Sequence, residues 1–224
     1  MTHTFRRLVL SVLFTGASFI SLTANAADEP AKKDRGPGEG SEFGVLGNFM
    51  TADPVLGFLY DKSQAVNGVT VGGYYTSRQA RGFRVTGDLT YTTVSPKDGP
   101  WLAAGKTPDQ AEWTEFRQGG SRGFSVVSAD VILGHEFGQN GTFGFYIGGG
   151  IGLAFPLGTV TSYGIVGGQK DPTSVPDKKK VPPVAPTVLF KIGPTVNIGT
   201  KGTLMPYAGF QDGLMVGLSL GYRM

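Results

Sequence analysis

The final stretch of the chain, residues 214–224, alternates strictly between two kinds of side chain. Every even position is large and apolar, whereas the odd positions carry Met215, two glycines, Ser219 and Arg223. Because side chains of a β-strand point alternately to its two faces, one face of this segment is wholly apolar and the other is mostly small or polar. Such a strand places one face in an apolar environment and the other in a polar or tightly packed one.

Several earlier segments repeat this alternation. They are residues 69–76, 83–95, 122–137, 142–155, 187–198 and 203–210. Residues 43–60 are less regular, because Ala52-Asp53-Pro54 interrupts the pattern, and they are compatible with one bulged strand or with two short ones. The chain is therefore predicted to be all-β.

The connections between these segments alternate in length along the chain. Those at 77–81, 138–141 and 199–202 are short, whereas those at 96–121 and 156–183 are long. Outer-membrane barrels have short periplasmic turns and longer extracellular loops. Hydrocarbon offers the backbone no hydrogen-bond partner, so strands cross it only in a closed barrel without free edges. The pattern predicts a closed antiparallel transmembrane β-barrel with short periplasmic turns and two long extracellular loops.

The strand count depends on residues 43–60. As one strand they bring the total to eight and place both chain ends in the periplasm, whereas two strands would give nine and the wrong parity. Eight strands are therefore favoured, with ten as the second choice if residues 158–167 contribute. A soluble periplasmic barrel that binds a ligand is a further alternative, but its continuous apolar outer faces would be exposed to water.

Residues 1–26 have the pattern of a cleaved secretory signal. Arg6 and Arg7 precede a mainly apolar core, and Ala24-Asn25-Ala26 supplies the small residues of a cleavage site. The apolar run is shorter than the roughly 20 residues that a spanning helix needs. Residues 27–42 are charged and contain proline and glycine, which predicts a flexible periplasmic lead-in before a barrel domain at 43–224.

Charge and cysteine content limit the function classes. The full chain has 20 basic and 17 acidic residues, and loss of Arg6 and Arg7 leaves 18 basic and 17 acidic residues, close to neutrality. The charge therefore gives no reason to expect a nucleic-acid partner. With no cysteine in the sequence, a lipid anchor on a mature N-terminal cysteine and a disulfide framework are both excluded.

Six charged residues fall on the polar faces of the predicted strands. They are Arg84, Asp88, Asp130, Glu136, Lys191 and Arg223. The interior of an eight-stranded barrel is just wide enough for side chains to fill it, and buried charges need partners. We expect a polar network that plugs the lumen, with Arg84, Glu136 and Arg223 near the periplasmic end and the other three near mid-height. The alternative is a narrow polar path or gate.

The first long loop contains both tryptophans of the chain, Trp101 and Trp113. The order Thr107-Pro108-Asp109-Gln110 is typical of a helix start and predicts a short helix to about Arg117. The tryptophans are candidates for a recognition element. Alternatively, the loop packs its own aromatic rings over the barrel mouth or at the membrane interface.

The last strand ends with Leu220, Tyr222 and Met224 at alternate positions. With this spacing, residues 43–224 resemble the small outer-membrane barrel families, namely the OmpA-like transmembrane domain and the OmpW-like proteins. The resemblance implies residence in the outer membrane of a Gram-negative bacterium, contact with outer-membrane lipid and lipopolysaccharide, and insertion by the barrel-assembly machinery. The families usually end on Phe or Trp, where this chain has Met224.

Catalytic, cofactor and metal motifs are not recognisable in the sequence. The one histidine after the signal, His135, lies by parity on the apolar face, whereas Ser128 lies on the polar face, so they do not form a nucleophile–base pair. We expect a monomeric, non-enzymatic outer-membrane barrel with a structural or surface-interaction role. The alternatives are a narrow channel or conduit for small or hydrophobic molecules, which the OmpW-like resemblance implies, and a lipid-modifying enzyme.

Overall fold

The structure is a computed structural model that describes residues 39–52, 60–138, 142–179, 181–211 and 213–224. The predicted signal peptide and most of the predicted lead-in lie outside these ranges, as does most of the predicted turn at 138–141. Within the described ranges, no helix has the length and apolarity to cross a membrane.

The described chain consists almost entirely of strands. They are β1 (Gly40–Thr51), β2 (Tyr60–Lys62), β3 (Asn67–Arg78), β4 (Phe83–Val94), β5 (Gly99–Ala103), β6 (Glu112–Gln118), β7 (Ser121–Arg122), β8 (Phe124–Phe137), β9 (Phe143–Leu157), β10 (Thr159–Tyr163), β11 (Ile165–Val166), β12 (Gln169–Lys170), β13 (Asp177–Lys179), β14 (Ala185–Ile198), β15 (Gly202–Gln211) and β16 (Leu214–Arg223).

Eight of these strands close into an antiparallel barrel in the order β1-β16-β15-β14-β9-β8-β4-β3. The first and last strands close it, in a register that runs from Glu42 opposite Arg223 to Thr51 opposite Leu214. The predicted eight-stranded barrel is confirmed. Of the region considered for two further strands, β10 and β11 do form, but neither joins the barrel wall.

The two ends of the barrel differ in their connections. One end, here called the turn end, carries the short connections 79–82, 138–142 and 199–201 and the two outer ends of β1 and β16. The other, the loop end, carries the connections that contain the remaining strands, together with the short link between β15 and β16. The predicted alternation of short and long connections is therefore present.

The first strand differs from the prediction at both ends. It begins at Gly40, so that Glu42, which the sequence pattern assigns to the lead-in, belongs to the barrel wall. It stops at Thr51 instead of continuing to Tyr60, because its partner β3 pairs with it only from Gly40 opposite Arg78 to Thr51 opposite Asn67. The next described strand, β2, lies at the loop end and pairs with β5 instead of joining the barrel wall.

The outer surface of the barrel is apolar, with aromatic side chains near the turn end. These outward aromatic residues are Phe43, Tyr75, Phe83, Phe137, Phe143 and Tyr222. The rings of Phe43 and Tyr222 lie 5.6 Å apart across the closing strand pair. An apolar wall with aromatic residues near its rim is the surface that lipid requires of a membrane barrel, whereas water would oppose its exposure.

The loop-end connections fold into a second sheet rather than remaining irregular. This loop sheet contains β2, β5, β6, β7, β10 and β13, in the order β13-β10-β6-β5-β2 with β7 paired to β6. The predicted helix from Thr107 to Arg117 is wrong: only Pro108–Gln110 forms a 3₁₀ turn, and β6 begins at Glu112. The helix-start residues cap that single turn. The chain after it forms β6, which pairs with β5 and β10.

Candidate functional site

Charged side chains fill the turn end of the lumen. The turn-end cluster comprises Glu42, Arg78, Arg84, Glu136 and Arg223. Arg78 donates to Glu42 at 2.7 Å and also pairs with Glu136, which in turn pairs with Arg84. Arg223 lies 3.7 Å from Glu42. Each carboxylate thus lies between guanidinium groups, as buried charges require.

Neutral side chains from β3 and from two further strands, β14 and β15, complete this cluster. Tyr74 and Thr203 both donate to Glu42, at 2.9 Å and 3.2 Å, and Thr195 donates to Glu136 at 2.7 Å. Several of the remaining lone pairs of the two glutamates are therefore satisfied without water. The charges come from β1, β3, β4, β8 and β16 and the neutral donors from β3, β14 and β15, so the cluster links seven of the eight barrel strands.

A second set of charges lies at mid-height. Asp88 and Asp130 are opposite each other on β4 and β8. Lys191 donates to Asp88 at 2.8 Å, whereas Asp130 accepts from Thr187 at 2.7 Å and from Gln211 at 3.0 Å. The lysine thus neutralises one aspartate, and neutral donors hold the other.

The two sets compensate each other in formal charge. Three arginines and two glutamates give the turn-end cluster an excess of one positive charge, whereas two aspartates and one lysine give the mid-height set an excess of one negative charge. A cavity of about 30 Å³, lined by residues of both sets, lies within the lumen. That volume holds about one or two water molecules, so the lumen around it is closely filled.

The structure places all six predicted lumen residues inside the barrel, but sequence reasoning missed two that hold them together. Arg78 lies in the segment predicted to be a turn, and Glu42 lies in the predicted lead-in. Both are almost completely buried. Strand alternation could have predicted that Arg78 faces the lumen. Arg78 shares parity with the inward Tyr74 and Thr76 once β3 is extended by two residues.

The residues considered for catalysis remain apart. His135 faces outward beside Phe137, with ring centroids 4.5 Å apart, and Ser128 is buried in the lumen. In the described ranges, no group of three or more His, Cys, Asp or Glu side chains has an arrangement suited to a metal ion.

The loop sheet carries the larger concavity of the molecule. This loop pocket has a volume of about 840 Å³ and is lined by side chains of β5, β6 and β10 and by the segments that flank them. Trp101 lies in its floor, largely buried, with its ring 5.7 Å from that of Phe116 in an edge-on arrangement. The ring packing gives this part of the loop sheet a small hydrophobic core of its own.

Trp113 lies on the opposite face of the loop sheet from Trp101. It is paired with Pro100 and Tyr163, whereas the pocket is lined by its even-numbered neighbours Glu112 and Thr114. The structure therefore places only one of the two predicted recognition residues in the pocket.

Ion pairs hold the face that carries Trp113. Glu115 accepts from Lys170 at 2.8 Å and lies 3.3 Å from Arg117, which also pairs with Asp98 at 3.0 Å. The hydrogen bond to Glu115 raises the pKa of Lys170, and the hydrogen bond to Asp98 raises the pKa of Arg117. Both cations therefore remain charged at every physiological pH. Arg122, opposite Arg117, lies 3.8 Å from Asp98, so three cations share two carboxylates on this face.

No protein-family model and no curated protein matches the chain. Among solved structures, it is similar to Ail, the attachment invasion locus protein of Yersinia pestis, at 14% identity, over 83% of this chain and 99% of that one. The TM-score is 0.42 for Ail alone and 0.40 for its complex with the heparin analogue sucrose octasulfate. It is also similar to the translocator domain of the autotransporter NalP from Neisseria meningitidis, at 8% identity and a TM-score of 0.32, over 100% of this chain and 98% of that one.

Proposed function

We propose that this protein is a non-enzymatic surface-recognition protein of the Gram-negative outer membrane. The observation that carries the proposal is the division of the molecule into a filled barrel and a folded loop sheet. The lumen is occupied by paired charges, with about 30 Å³ of free space in the cavity between the two sets. The loop end instead builds a sheet with a pocket of about 840 Å³. The barrel acts as an anchor, and the loop sheet acts as the part that meets a partner.

The two other functions considered from the sequence have less support. A conduit needs a continuous path, and Arg78, Glu136 and Lys191 stand in the lumen where that path would run. A lipid-modifying enzyme needs reactive groups side by side, and Ser128 and His135 face opposite sides of β8. Neither arrangement favours transport or catalysis over recognition.

A loop-trimmed variant tests the proposal. Residues 159–183 are replaced by a short Gly-Ser linker, so that β10, β11, β12 and β13 are lost while every barrel strand keeps both neighbours. Folding is monitored in outer-membrane fractions by gel mobility with and without heating, since a folded barrel runs differently from the boiled chain. We expect the variant to remain a heat-modifiable barrel.

Recognition is read out by the retention of expressing cells on surfaces coated with mucin, extracellular-matrix protein or lipopolysaccharide. We expect the intact protein to raise retention on at least one surface, and the trimmed variant to fall to the level of cells with an empty vector. Equal retention for the intact, trimmed and vector cells on all three surfaces would contradict a recognition role.

A further inference from the structure

The floor and rim of the loop pocket differ in chemistry. Trp101, Phe116 and Val160 provide an apolar and aromatic floor, whereas Glu112, Gln110 and Asp109 stand along the rim. Ligand pockets typically combine such an apolar surface with a few polar groups that fix orientation, and 840 Å³ lies within their usual size range of about 300–1,000 Å³.

Among the described residues that line the pocket, the charges cancel. Lys106 and Lys179 face Asp109 and Glu112, two cations against two anions. Lys179 is already engaged, because it donates to Glu112 at 3.2 Å and to Asp177 at 2.8 Å. A polyanionic ligand would have to displace these carboxylates and would then face them unpaired. The electrostatics of the pocket therefore favour an uncharged ligand.

The rim presents donors and acceptors in fixed positions. The side-chain carbonyl of Gln110 accepts from the backbone N–H of Thr107 at 3.2 Å, which leaves its amide NH₂ as a donor. Hydrogen bonds from Thr107 lower the pKa of Asp109, so that this carboxylate stays an acceptor. The backbone N–H of Gly105 donates to Asp61 at 3.0 Å and ties this rim segment to β2.

We propose that the loop pocket binds a neutral oligosaccharide. A sugar ring has an apolar C–H face, which suits the aromatic floor, and an edge of hydroxyl groups. Each hydroxyl both donates and accepts, so it matches carboxylates and an amide donor on one rim without bringing charge. The inference rests on the proposed surface-recognition function and names the ligand class of that same site.

The two tryptophans make the site testable by fluorescence. Trp113→Phe leaves Trp101 as the single tryptophan, in the pocket, and Trp101→Phe leaves Trp113 on the opposite face. The full-length protein, folded in lipid nanodiscs, is titrated with lactose, maltotriose and N-acetylchitotriose, and separately with a sulfated chondroitin tetrasaccharide. We expect a saturable change in Trp101 emission with at least one neutral sugar, and no change in Trp113 emission.

A matched pair of variants on one strand tests the rim. Glu112→Gln and Glu115→Gln make the same change three residues apart on β6, on opposite faces. A charge-assisted hydrogen bond is roughly twice as strong as a neutral one, so we expect Glu112→Gln to weaken sugar binding by about fivefold. Glu115→Gln should leave the dissociation constant unchanged.

The outcomes separate this inference from the function on which it rests. Binding of the sulfated sugar alone, binding of no sugar, or a response at Trp113 instead of Trp101 would overturn the oligosaccharide site. If the loop-trimmed variant nevertheless loses cell retention, the recognition function stands with another ligand class, such as a peptide. If no sugar binds and trimming has no effect on cell retention, the oligosaccharide site and the recognition function are both contradicted.

Discussion

At the scale of single residues, the pairing of charges in the lumen depends on individual side chains whose contacts no neighbouring residue can replace. Glu136 is the clearest case, since it pairs with both Arg78 and Arg84 and accepts from Thr195. A buried ion pair contributes little against a well-packed apolar alternative, but removal of one partner leaves an uncompensated charge. The cluster therefore stabilises the barrel only while each of its buried charges keeps a partner.

We predict that Glu136→Gln lowers the free energy of unfolding by about 3–5 kcal/mol, because Arg78 and Arg84 then face each other without a carboxylate between them. Urea unfolding in nanodiscs, followed by loss of the heat-modifiable band of the folded barrel, measures the change. Asp177→Asn is the control, since its ion pair with Lys179 is exposed and exposed pairs contribute little. A difference below about 1 kcal/mol between the two variants would refute a structural role for the cluster.

Glycine matters in the lumen because it leaves room for larger side chains. A Cβ atom on Gly148 would overlap the Tyr146 hydroxyl, whereas one on Gly149, which faces outward, would meet only the carbonyl of Leu189 at 3.7 Å. We predict that Gly148→Ala destabilises the barrel by about 1–3 kcal/mol, the usual cost of overpacking. Gly149→Ala should be close to neutral in the same unfolding assay, and equal effects of the two variants would contradict this explanation.

At the scale of elements, the sequence pattern and length of the barrel strands have a different physical origin from those of the loop strands. Each barrel strand has a lipid-facing side and two hydrogen-bonded neighbours, so its pattern and its length are set by the wall. The loop strands are two to seven residues long and pair in the loop sheet, except for β11 and β12, which form a separate two-stranded sheet. Strand β16 carries an additional task, because it closes the barrel against β1.

We predict that Tyr222→Ala reduces the amount of folded protein in the outer membrane several-fold, because Tyr222 belongs to the alternating apolar end of β16 that resembles an assembly signal, and its ring contacts Phe43. Tyr75→Ala is the matched control, another outward tyrosine near the turn end, on β3. Heat-modifiable band intensity in outer-membrane fractions measures both. If Tyr75→Ala reduces the folded band as much as Tyr222→Ala, the C-terminal strand has no special role in assembly.

At the scale of the whole molecule, the proposed function assigns anchoring to the plugged barrel and recognition to the loop sheet. The turn-end cluster and the mid-height set occupy successive levels of the lumen, so loss of one still leaves the other in place. A single substitution in one set should therefore leave the lumen closed.

We expect the wild-type protein to give no stable single-channel current in planar bilayers, and Lys191→Ala to remain closed because the arginines and glutamates of the turn-end cluster still fill the path. The substitution removes the cation from Asp88 and should lower stability in the unfolding assay instead. A steady current from the wild type that Lys191→Ala alters would support the conduit alternative.

The sequence by itself determined the all-β class, the count of eight barrel strands, the direction in which side chains face in the regular strands and the alternation of short and long connections. These follow from period-two patterning, which is local and which lipid on one side and a narrow polar lumen on the other enforce strongly. The positions of Asp88, Glu136 and Lys191 in the lumen followed from the same parity.

Only the tertiary structure decided which charges meet, where β1 ends and what the long loops become. Arg78 joins Glu42 and Glu136 across the lumen, and β6 forms a strand despite a helix-start sequence, because pairing with residues distant along the chain outweighs local preference. The need for glycine in the lumen was also not predictable from local sequence. Gly148 leaves space that the Tyr146 side chain occupies only in the folded barrel. Closure of the barrel brings these partners together, and no local pattern specifies which side chains then meet across the lumen.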